Sequence, residues 1–222
     1  MIRDTLKKML DVGRDDSVIM KIRLKRIAFF KDLVSPLSKP VKIIDVGGTE
    51  LFWEKMGLAD DANYQITILN LSKTESHHLN IRLVIGDARD MKEFGDGNFD
   101  VAFSNSVIEH VGELAEQRQM AEEVMRVGKR YFVQTPNHSF PFEPHFLFPF
   151  FQFFPPALKV FMIRHFSLGW YPRIPEKEEA TKAAKSIRLL RRREVADLFP
   201  DGKIRDEKLF GLTSSFIVYG RW

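Results

Sequence analysis

Short apolar runs alternate with amphipathic stretches through the middle of the chain. The runs that read as buried strands are residues 42–46, 65–69, 82–85, 99–104 and 130–135. Helix-like segments lie between them, and Glu113 to Val127 has the clearest helical period. Short buried strands that are separated by helices are typical of a parallel sheet with helices on both faces.

The two ends of the chain predict further elements. Residues 17–34 place apolar side chains near a helical period, with Ser17 as the N-cap and Pro36 as the stop. We interpret residues 1–40 as a helical cover for the sheet. Towards the C-terminus, residues 187–199 read as a strand-like entry into a basic helix. Two strands, 204–209 and 216–220, then end the chain.

Composition and charge narrow the class of protein. The chain has 222 residues, of which 44% are hydrophobic, so it can bury a full core as one domain with decorations. It contains no cysteine, which excludes disulfides, thiolate zinc sites and a thiol nucleophile. The N-terminus lacks the apolar core of a signal peptide, which predicts a cytoplasmic location.

The net charge of +4 is unevenly distributed. Residues 1–40 carry ten Lys and Arg against five Asp and Glu, and residues 173–193 carry eight against three. Residues 41–172 carry twelve against seventeen. Basic flanks either meet an anionic membrane or substrate, or are solvated helix faces. No nucleic-acid-binding motif is present, so nucleic acid is not a predicted partner.

Polar residues follow each of the five apolar runs. In open parallel sheets the ligand binds at the carboxyl ends of the strands, so these residues together predict a polar-lined cleft. At any single position, a turn or a helix cap explains the polar residue equally well. The segments are Asp45-Val46-Gly47-Gly48, Asn70-Leu71-Ser72, Gly86-Asp87-Ala88, Ser104-Asn105-Ser106 and Thr135-Pro136-Asn137.

The first of these segments is a glycine turn after a strand that ends in Asp45. Glycines let a ligand approach the backbone, and the helix that follows offers N–H groups to polar ligand atoms. A dinucleotide fingerprint needs G-x-G-x-x-G, but the next glycine after Gly48 is Gly57. No Walker-type G-K-[ST] loop occurs either. The turn therefore suits a cofactor that lacks phosphates.

The order of these motifs resembles the class I S-adenosylmethionine-dependent methyltransferases, particularly the small-molecule group with a strand-4 signature like FDVAFSNSVIEHV at residues 99–111. The resemblance covers residues 41–136, with a looser match at the C-terminus. It implies an α/β, Rossmann-like fold with a seven-stranded, mostly parallel sheet and an antiparallel C-terminal edge strand. The methyltransferase core would comprise residues 41–137 and 186–222, with residues 138–185 inserted as a lid.

The resemblance also implies roles for individual residues. The acidic residue of strand 1 and the glycine turn would contact the methionine end of S-adenosylmethionine. The residue that ends strand 2 would contact the ribose, and Asp87 would contact the adenine amino group. The residues that end strand 4 would close the pocket. The implied cofactor-binding residues are Asp45, Gly47, Gly48, Glu50, Asn70, Leu71, Asp87, Ala88, Asn105 and Ser106. The implied substrate residues are Asn137, His138 and Glu143.

Two departures from the family pattern keep an alternative open. Thr49 and Glu50 follow Gly48 directly, which shortens the glycine turn, and Asn70 replaces the usual acidic ribose ligand. An asparagine still bonds hydroxyls, but without the strength of a charged acceptor. The alternative function is a non-catalytic, degenerate member of the fold that acts as a binding or membrane-associated protein.

The segment from His138 to Tyr171 holds ten of the twenty phenylalanines, together with Trp170 and Tyr171. Its prolines interrupt it too often for a transmembrane helix. An aromatic insertion after strand 5 lines a hydrophobic acceptor pocket or contacts a membrane interface. A satellite core or a homodimer contact explains it equally well. A small or lipid-like acceptor, methylated on oxygen or carbon, is the predicted substrate.

Histidines are the candidate bases, because methyl transfer needs an acceptor that is held in line and sometimes deprotonated. We expect His145 to be the base, with Glu143 orienting it or raising its pKa. His110 belongs to the Glu-His pair of the family and is also included as a catalytic candidate, although a cofactor-shell role suits it better. The spacing of the histidines predicts no metal site.

Overall fold

The computed structural model describes residues 18–72, 76–143 and 145–222, which form two compact units. The larger unit comprises Leu37–Phe140 and Lys185–Trp222. The smaller unit comprises Pro141–Ala184 together with the N-terminal part through Pro36. Ser17 and the residues before it lie outside the described residues, so the predicted N-cap and the first part of the N-terminal cover stay predictions.

The larger unit is built on one seven-stranded sheet. Its strands are β1 (Val41–Val46), β2 (Tyr64–Asn70), β3 (Ile81–Ile85), β4 (Val101–Asn105), β5 (Tyr131–Pro136), β6 (Lys203–Leu209) and β7 (Leu212–Gly220). The order across the sheet is β3-β2-β1-β4-β5-β7-β6. Neighbours among β1 to β5 are parallel, and β7 is antiparallel to both β5 and β6. The predicted Rossmann-like, mostly parallel sheet is confirmed.

The C-terminal hairpin places its first strand, β6, at the edge and its second strand, β7, next to β5. The sequence explains this order. Phe216, Ile217 and Val218 in β7 are all buried, as is typical of a strand that is covered on both faces. Most side chains of β6, among them Lys203 and Arg205, are charged, and charged side chains protect an edge strand from further pairing.

Within its described residues, the larger unit contains three helices and a 3-10 turn. They are α2 (Glu50–Lys55), the 3-10 turn Ile108–His110, α3 (Leu114–Val127) and α6 (Arg192–Leu198). The backbone N–H of Glu113 donates to Glu116 Oε2 at 3.0 Å, which caps the start of α3. The helix ends at Gly128, where a Cβ would lie 2.6 Å from the carbonyl oxygen of Arg130.

Side chains of β1 alternate between two packed faces of the sheet. Ile44 and Val46 join the buried cluster that includes α3 and α6. On the other side, Trp53 of α2 packs against Phe103 of β4 with ring centroids 5.3 Å apart. Phe103 stacks in turn on Phe132 of β5 at 5.5 Å. This aromatic layer fixes α2, and with it the turn between β1 and α2.

The smaller unit contains α1 (Val18–Val34), α4 (Pro156–His165) and nearly all of α5 (Lys177–Lys185). Phe142–Glu143 and Phe148–Pro149 form a two-residue antiparallel pair, followed by a 3-10 turn at Phe151–Phe153. Among the helices that the structure describes, none is both long enough and apolar enough to cross a membrane.

Candidate functional site

A cavity of about 430 Å³ opens at the carboxyl ends of β1 to β4 in the larger unit. The sequence predicted a cleft at these strand ends. The lining residues are Gly47, Leu69, Asn70, Leu71, Gly86, Asp87, Ala88, Arg89, Ser106, Val107, His110 and Val111. The pocket therefore brings together predicted residues from four separate strand ends, and its volume is in the range of small-molecule sites.

The glycine turn between β1 and α2 cannot carry side chains. Gly47 has φ +79°, and a Cβ there would lie 2.4 Å from Val107 Cγ1. A Cβ on Gly48 would lie 1.7 Å from Asp45 Oδ2. Close packing thus requires both glycines, and the positive φ of Gly47 adds a conformational requirement at that position. Only Gly47 of the pair is among the residues that line the cavity.

Asp45 lies beneath the turn and does not line the cavity. Its side chain is buried, and Oδ2 accepts a hydrogen bond of 2.7 Å from Trp53 Nε1. Its other oxygen, Oδ1, has no hydrogen-bond partner within the described part of the chain. Burial raises the pKa of Asp45 to about 7, and the bond from Trp53 opposes this shift. The predicted cofactor ligand is therefore a carboxyl that changes charge near neutral pH.

Asn70 connects the end of β2 to the glycine turn. Its Nδ2 donates to the carbonyl oxygen of Gly48 at 3.0 Å, and its Oδ1 accepts from the backbone N–H of Leu71 at 2.8 Å. An aspartate could not donate the first of these bonds. The replacement of the usual acidic residue thus has a structural use here, because it ties two strand ends of the pocket together.

Asp87 forms a bidentate ion pair with Arg89 on the pocket wall. Arg89 Nε lies 2.9 Å from Asp87 Oδ1, and Arg89 Nη2 lies 2.5 Å from Oδ2. The guanidinium holds the pKa of Asp87 below its usual value, and the carboxylate raises that of Arg89. Asp87 is therefore ionised at neutral pH. Arg89 is not among the residues that the sequence predicted for the pocket, although it stands only two residues after Asp87.

The end of β4 carries strained backbone at the pocket. Ser106 has φ +56°, which is uncommon for a residue other than glycine. Its Oγ donates to Gln134 Oε1 at 2.8 Å, and its backbone N–H donates to the Gln134 carbonyl at 3.0 Å. Such strain persists only where neighbouring bonds hold it, and it is frequent at ligand sites. The adjacent Asn105 ends β4 but is not among the residues that line the cavity.

The two residues of the Glu-His pair after β4 lie in different places, Glu109 in the core and His110 at the pocket. Glu109 is fully buried, and its Oε2 accepts from Thr135 Oγ1 at 3.1 Å. His110 is exposed and lines the cavity. Beneath this turn, the buried Gln117 donates through Nε2 to the carbonyl oxygens of Ile108 and Arg188, at 2.9 Å each. His110 is thus presented to the pocket by a turn that is bonded from below.

Glu50, another predicted cofactor residue, contacts the loop between β2 and β3. Its Oε1 accepts from Ser76 Oγ and, at 3.1 Å, from the backbone N–H of His77. Next to it, His78 lies between Glu54 Oε1 at 2.9 Å and Asp60 Oδ2 at 2.8 Å. These two hydrogen bonds raise the pKa of His78 to about 9. This group of charges fixes the loop that follows the predicted ribose-binding strand.

Asn137, a predicted substrate residue, is bonded to the end of the C-terminal hairpin. Its Nδ2 donates to the Thr213 carbonyl at 2.8 Å, and its Oδ1 accepts from the backbone N–H of Ser139 at 2.9 Å. The backbone N–H of His138 donates to the Leu190 carbonyl at 3.0 Å. Neither residue is among those that line the cavity. Their predicted role in substrate binding stays a prediction.

In the smaller unit, Glu143 forms a hydrogen bond with His145. Glu143 is buried, and its Oε1 lies 2.6 Å from His145 Nδ1. Its Oε2 accepts from the backbone N–H of Phe146 at 2.5 Å, which fixes the carboxylate. A histidine that bonds a carboxylate through one ring nitrogen presents the other nitrogen in a defined orientation. This geometry suits a base, but it does not by itself identify a substrate.

The pocket residues fit S-adenosylmethionine better than a phosphorylated nucleotide. The ionised Asp87 can accept a hydrogen bond from an amino group, and Arg89, the cation beside it, is already paired with this carboxylate. The helix α2 after the turn begins with the acidic Glu50, and Trp53 within it is buried. The glycine turn leaves no room for a Cβ, because the side chains of Val107 and Asp45 fill that space. These properties match an adenosine with a cationic amino-acid tail.

Comparison with known proteins supports the same interpretation. Residues 48–131 match the family model that is described as a methyltransferase domain. The uncharacterized protein Rv1509 of Mycobacterium tuberculosis (strain H37Rv) is 40% identical over 67 residues, which is 30% of this chain and 22% of that protein. The chain therefore spans about a fifth of the length of the curated relatives that it matches.

Solved structures share the fold along most of the chain. The PH0226 protein from Pyrococcus horikoshii OT3 is 16% identical, with a TM-score of 0.54 over 92% of this chain and 91% of that one. A SAM-dependent methyltransferase from Aquifex aeolicus is 14% identical, with a TM-score of 0.51 over 97% and 96%. Likeness at this level of identity shows the fold, while function must be argued from the site.

Proposed function

We propose that this chain, which carries a class I S-adenosylmethionine-dependent methyltransferase domain, transfers a methyl group from S-adenosylmethionine to a small or lipid-like acceptor. The domain follows from the matched family model and the shared fold. The acceptor class follows from the aromatic composition of residues 138–185, the segment that comes after β5.

The observation that carries the proposal is the composition of the pocket wall. Four strand ends that are distant in sequence supply Gly47, Asn70, Asp87 and Ser106 to one cavity. In the family that the sequence resembles, these are the positions that contact the cofactor. A pocket at the same place in the sheet, with an ionised carboxylate on its wall, supports the same use here.

S-adenosylmethionine supplies a methyl group on a positively charged sulfur, so the protein mainly binds, orients and excludes water. Asp87 would accept a hydrogen bond from the adenine amino group. Asn70 would contact the ribose while it holds the turn at Gly48. Asp45, when ionised, would favour the cationic methionine end from beneath the turn.

For the acceptor, we propose that His145 removes a proton where the acceptor atom carries one. Glu143 accepts from Nδ1 and so favours the tautomer in which Nε2 receives the proton. An acceptor that loses no proton would need only positioning. Asn137 and His138 stay substrate-binding candidates because they directly follow the end of β5.

The test is S-adenosylhomocysteine formation. The purified full-length chain is incubated with S-adenosylmethionine and with an organic-solvent extract or an aqueous extract of cells, and the product is quantified. The proposal predicts S-adenosylhomocysteine above the no-extract control, with more from the organic extract. At a subsaturating concentration of S-adenosylmethionine, Asp87→Asn should lower the product strongly, whereas Asp90→Asn should not, because Asp90 pairs with Lys92 and does not line the cavity. Equal product from both variants would contradict the site assignment.

A further inference from the structure

The smaller unit exposes an unusual number of large apolar side chains. We define the aromatic patch as Phe150, Phe153, Leu158, Phe161 and Phe166, which are 54%, 50%, 40%, 52% and 55% exposed. All five lie in or beside the 3-10 turn and α4. Scattered apolar residues on a surface need no explanation, but five within one short stretch of chain do.

Helix α4 presents one apolar face outward. Leu158 and Phe161 are three residues apart on the helix and are both exposed, while Ile163 is buried. The Phe161 ring stacks on His165 with centroids 4.3 Å apart, which extends this face to the end of the helix. The outward face of α4 therefore has the aromatic character of a helix that lies in an interface.

The backbone before α4 is strained in a way that exposes Phe150. This residue has φ +59°, a left-handed conformation that bulky side chains rarely adopt. Its ring is half exposed and lies 6.4 Å from the ring of Phe153. Strain of this kind costs free energy and gains nothing from burial, which is typical of a functional surface.

Charge indicates what covers the aromatic patch. Between Glu143 and Glu176 the sequence contains no Asp or Glu, but it contains Lys159, Arg164 and Arg173. Arg164 Nε donates to the carbonyl of Pro175 at 2.9 Å, and Arg173 Nε donates to the carbonyl of Arg164 at 3.0 Å. Within the described chain, neither guanidinium pairs with a carboxylate. In the larger unit, by contrast, arginines such as Arg89 form carboxylate pairs.

We propose that the aromatic patch, together with Arg164 and Arg173, binds the surface of an anionic lipid bilayer. Exposed aromatic rings enter the boundary between headgroups and acyl chains, and arginines at its margin pair with lipid phosphates. None of the described helices can span a membrane, so the protein would lie on the bilayer. This inference stands apart from the methyl-transfer proposal, because it uses no pocket residue.

The experiment is cosedimentation of the full-length chain with lipid vesicles. One set is phosphatidylcholine alone, and the other contains about 30% phosphatidylglycerol. The inference predicts saturable binding to the anionic vesicles that weakens as salt increases, with much weaker binding to the neutral ones. Phe153→Ser with Phe161→Ser should lower the partition coefficient by at least about tenfold. Arg164→Gln with Arg173→Gln should lower it on anionic vesicles only.

Phe210→Ser is the matched control, since Phe210 is 73% exposed at the tip of the β6–β7 hairpin, outside the aromatic patch. It should bind vesicles like the wild type. Circular dichroism of each variant shows whether it is folded. Titration of each variant with S-adenosylmethionine shows whether the proposed cofactor site is intact, so a loss of vesicle binding alone is attributable to the aromatic patch. Wild-type vesicle binding by the Phe153/Phe161 variant, or no binding by the wild type, would overturn the inference. So would a wild-type dimer in sedimentation velocity that the same two substitutions dissociate, because the patch would then bind a second copy.

Discussion

The Asp45 carboxylate and the Trp53 indole form a buried hydrogen bond of 2.7 Å directly beneath the glycine turn. The bond joins β1 to α2, and the Cβ that Gly48 lacks would overlap the same carboxylate. The glycine turn, β1 and α2 thus all pack around the carboxyl group of Asp45. The packing of the turn is therefore coupled to the charge state of Asp45.

Protonation of Asp45 should make the stability depend on pH. Its pKa rises from 3.8 to about 7 on folding, so the folded state retains a proton that the unfolded state has released. The free energy of unfolding should therefore fall between about pH 4 and pH 7, by an amount on the order of 4 kcal/mol. Asp45→Asn should lack this component. Urea unfolding of both proteins across this range measures it, and parallel pH profiles would show that Asp45 is not the group.

Gly48→Ala should damage the turn. The new Cβ would overlap Asp45 Oδ2, so the carboxylate or the turn must move. We expect a loss of about 1–3 kcal/mol in the free energy of unfolding and at least about tenfold weaker binding of S-adenosylmethionine. Gly95→Ala is the control, because no atom lies within 4 Å of a Cβ at that position. If the two variants behave alike, the close packing of the turn is irrelevant to binding.

Asp87→Asn should weaken cofactor binding without unfolding the protein. The substitution removes the charge but keeps a similar shape, and a charge-assisted hydrogen bond is worth about tenfold to a hundredfold in affinity. It also breaks the ion pair with Arg89, an exposed pair whose loss costs little stability. Calorimetric titration with S-adenosylhomocysteine measures the change. Unchanged affinity would place the adenine elsewhere.

His78 should add a second pH dependence of the same sign, in a higher pH range than that of Asp45. Bonds to Glu54 and Asp60 raise its pKa from 6.5 to about 9, so its contribution is complete below about pH 6.5 and is lost as the pH rises through about 9. Chemical unfolding at about pH 6 and pH 10 should show a loss for the wild type that His78→Gln lacks. His77→Gln is the neighbouring control, since His77 contacts Glu50 through its backbone N–H. A pH profile of His78→Gln identical to that of the wild type would exclude this source.

His145→Gln should lower turnover by about a hundredfold if the acceptor loses a proton, because general-base catalysis contributes that much or more. Glu143→Gln should cost less, since it disturbs only the orientation of His145. Titration should show unchanged affinity for S-adenosylmethionine in both variants. His165→Gln, on the outward face of α4, serves as the control. Wild-type turnover by His145→Gln with an acceptor that must be deprotonated would exclude His145 as the base.

The sequence predicted the sheet well because each strand is an apolar run with polar residues at its end. The predicted strand 42–46 is observed as Val41–Val46, and 130–135 as Tyr131–Pro136. The hairpin order was not predicted in detail, because it depends on which of its two strands is buried on both faces. The local hydrophobic pattern thus predicts where each strand lies in the sequence. The order of the strands in the sheet depends on which strands are buried on both faces.

The site was predicted as a set of positions rather than as a set of contacts. Asn70 and Asp87 were predicted because they follow apolar strands, and both line the cavity. The position of a residue after a strand predicted neither Arg89 in the pocket nor the hydrogen bond from Trp53 to Asp45. Those contacts depend on side-chain directions that spacing along the chain does not encode. The same limit applies to Asn137, whose amide is bonded to the hairpin.

Binding of S-adenosylmethionine is tested most directly by isothermal titration of the wild-type chain with S-adenosylmethionine and S-adenosylhomocysteine, with NAD as the control. We expect saturable binding of both adenosyl ligands at one site and no binding of NAD, because the turn lacks a third glycine and an ionised Asp87 is present on the pocket wall. Absence of binding by both adenosyl ligands, or binding of NAD alone, would contradict the assignment of the pocket to S-adenosylmethionine.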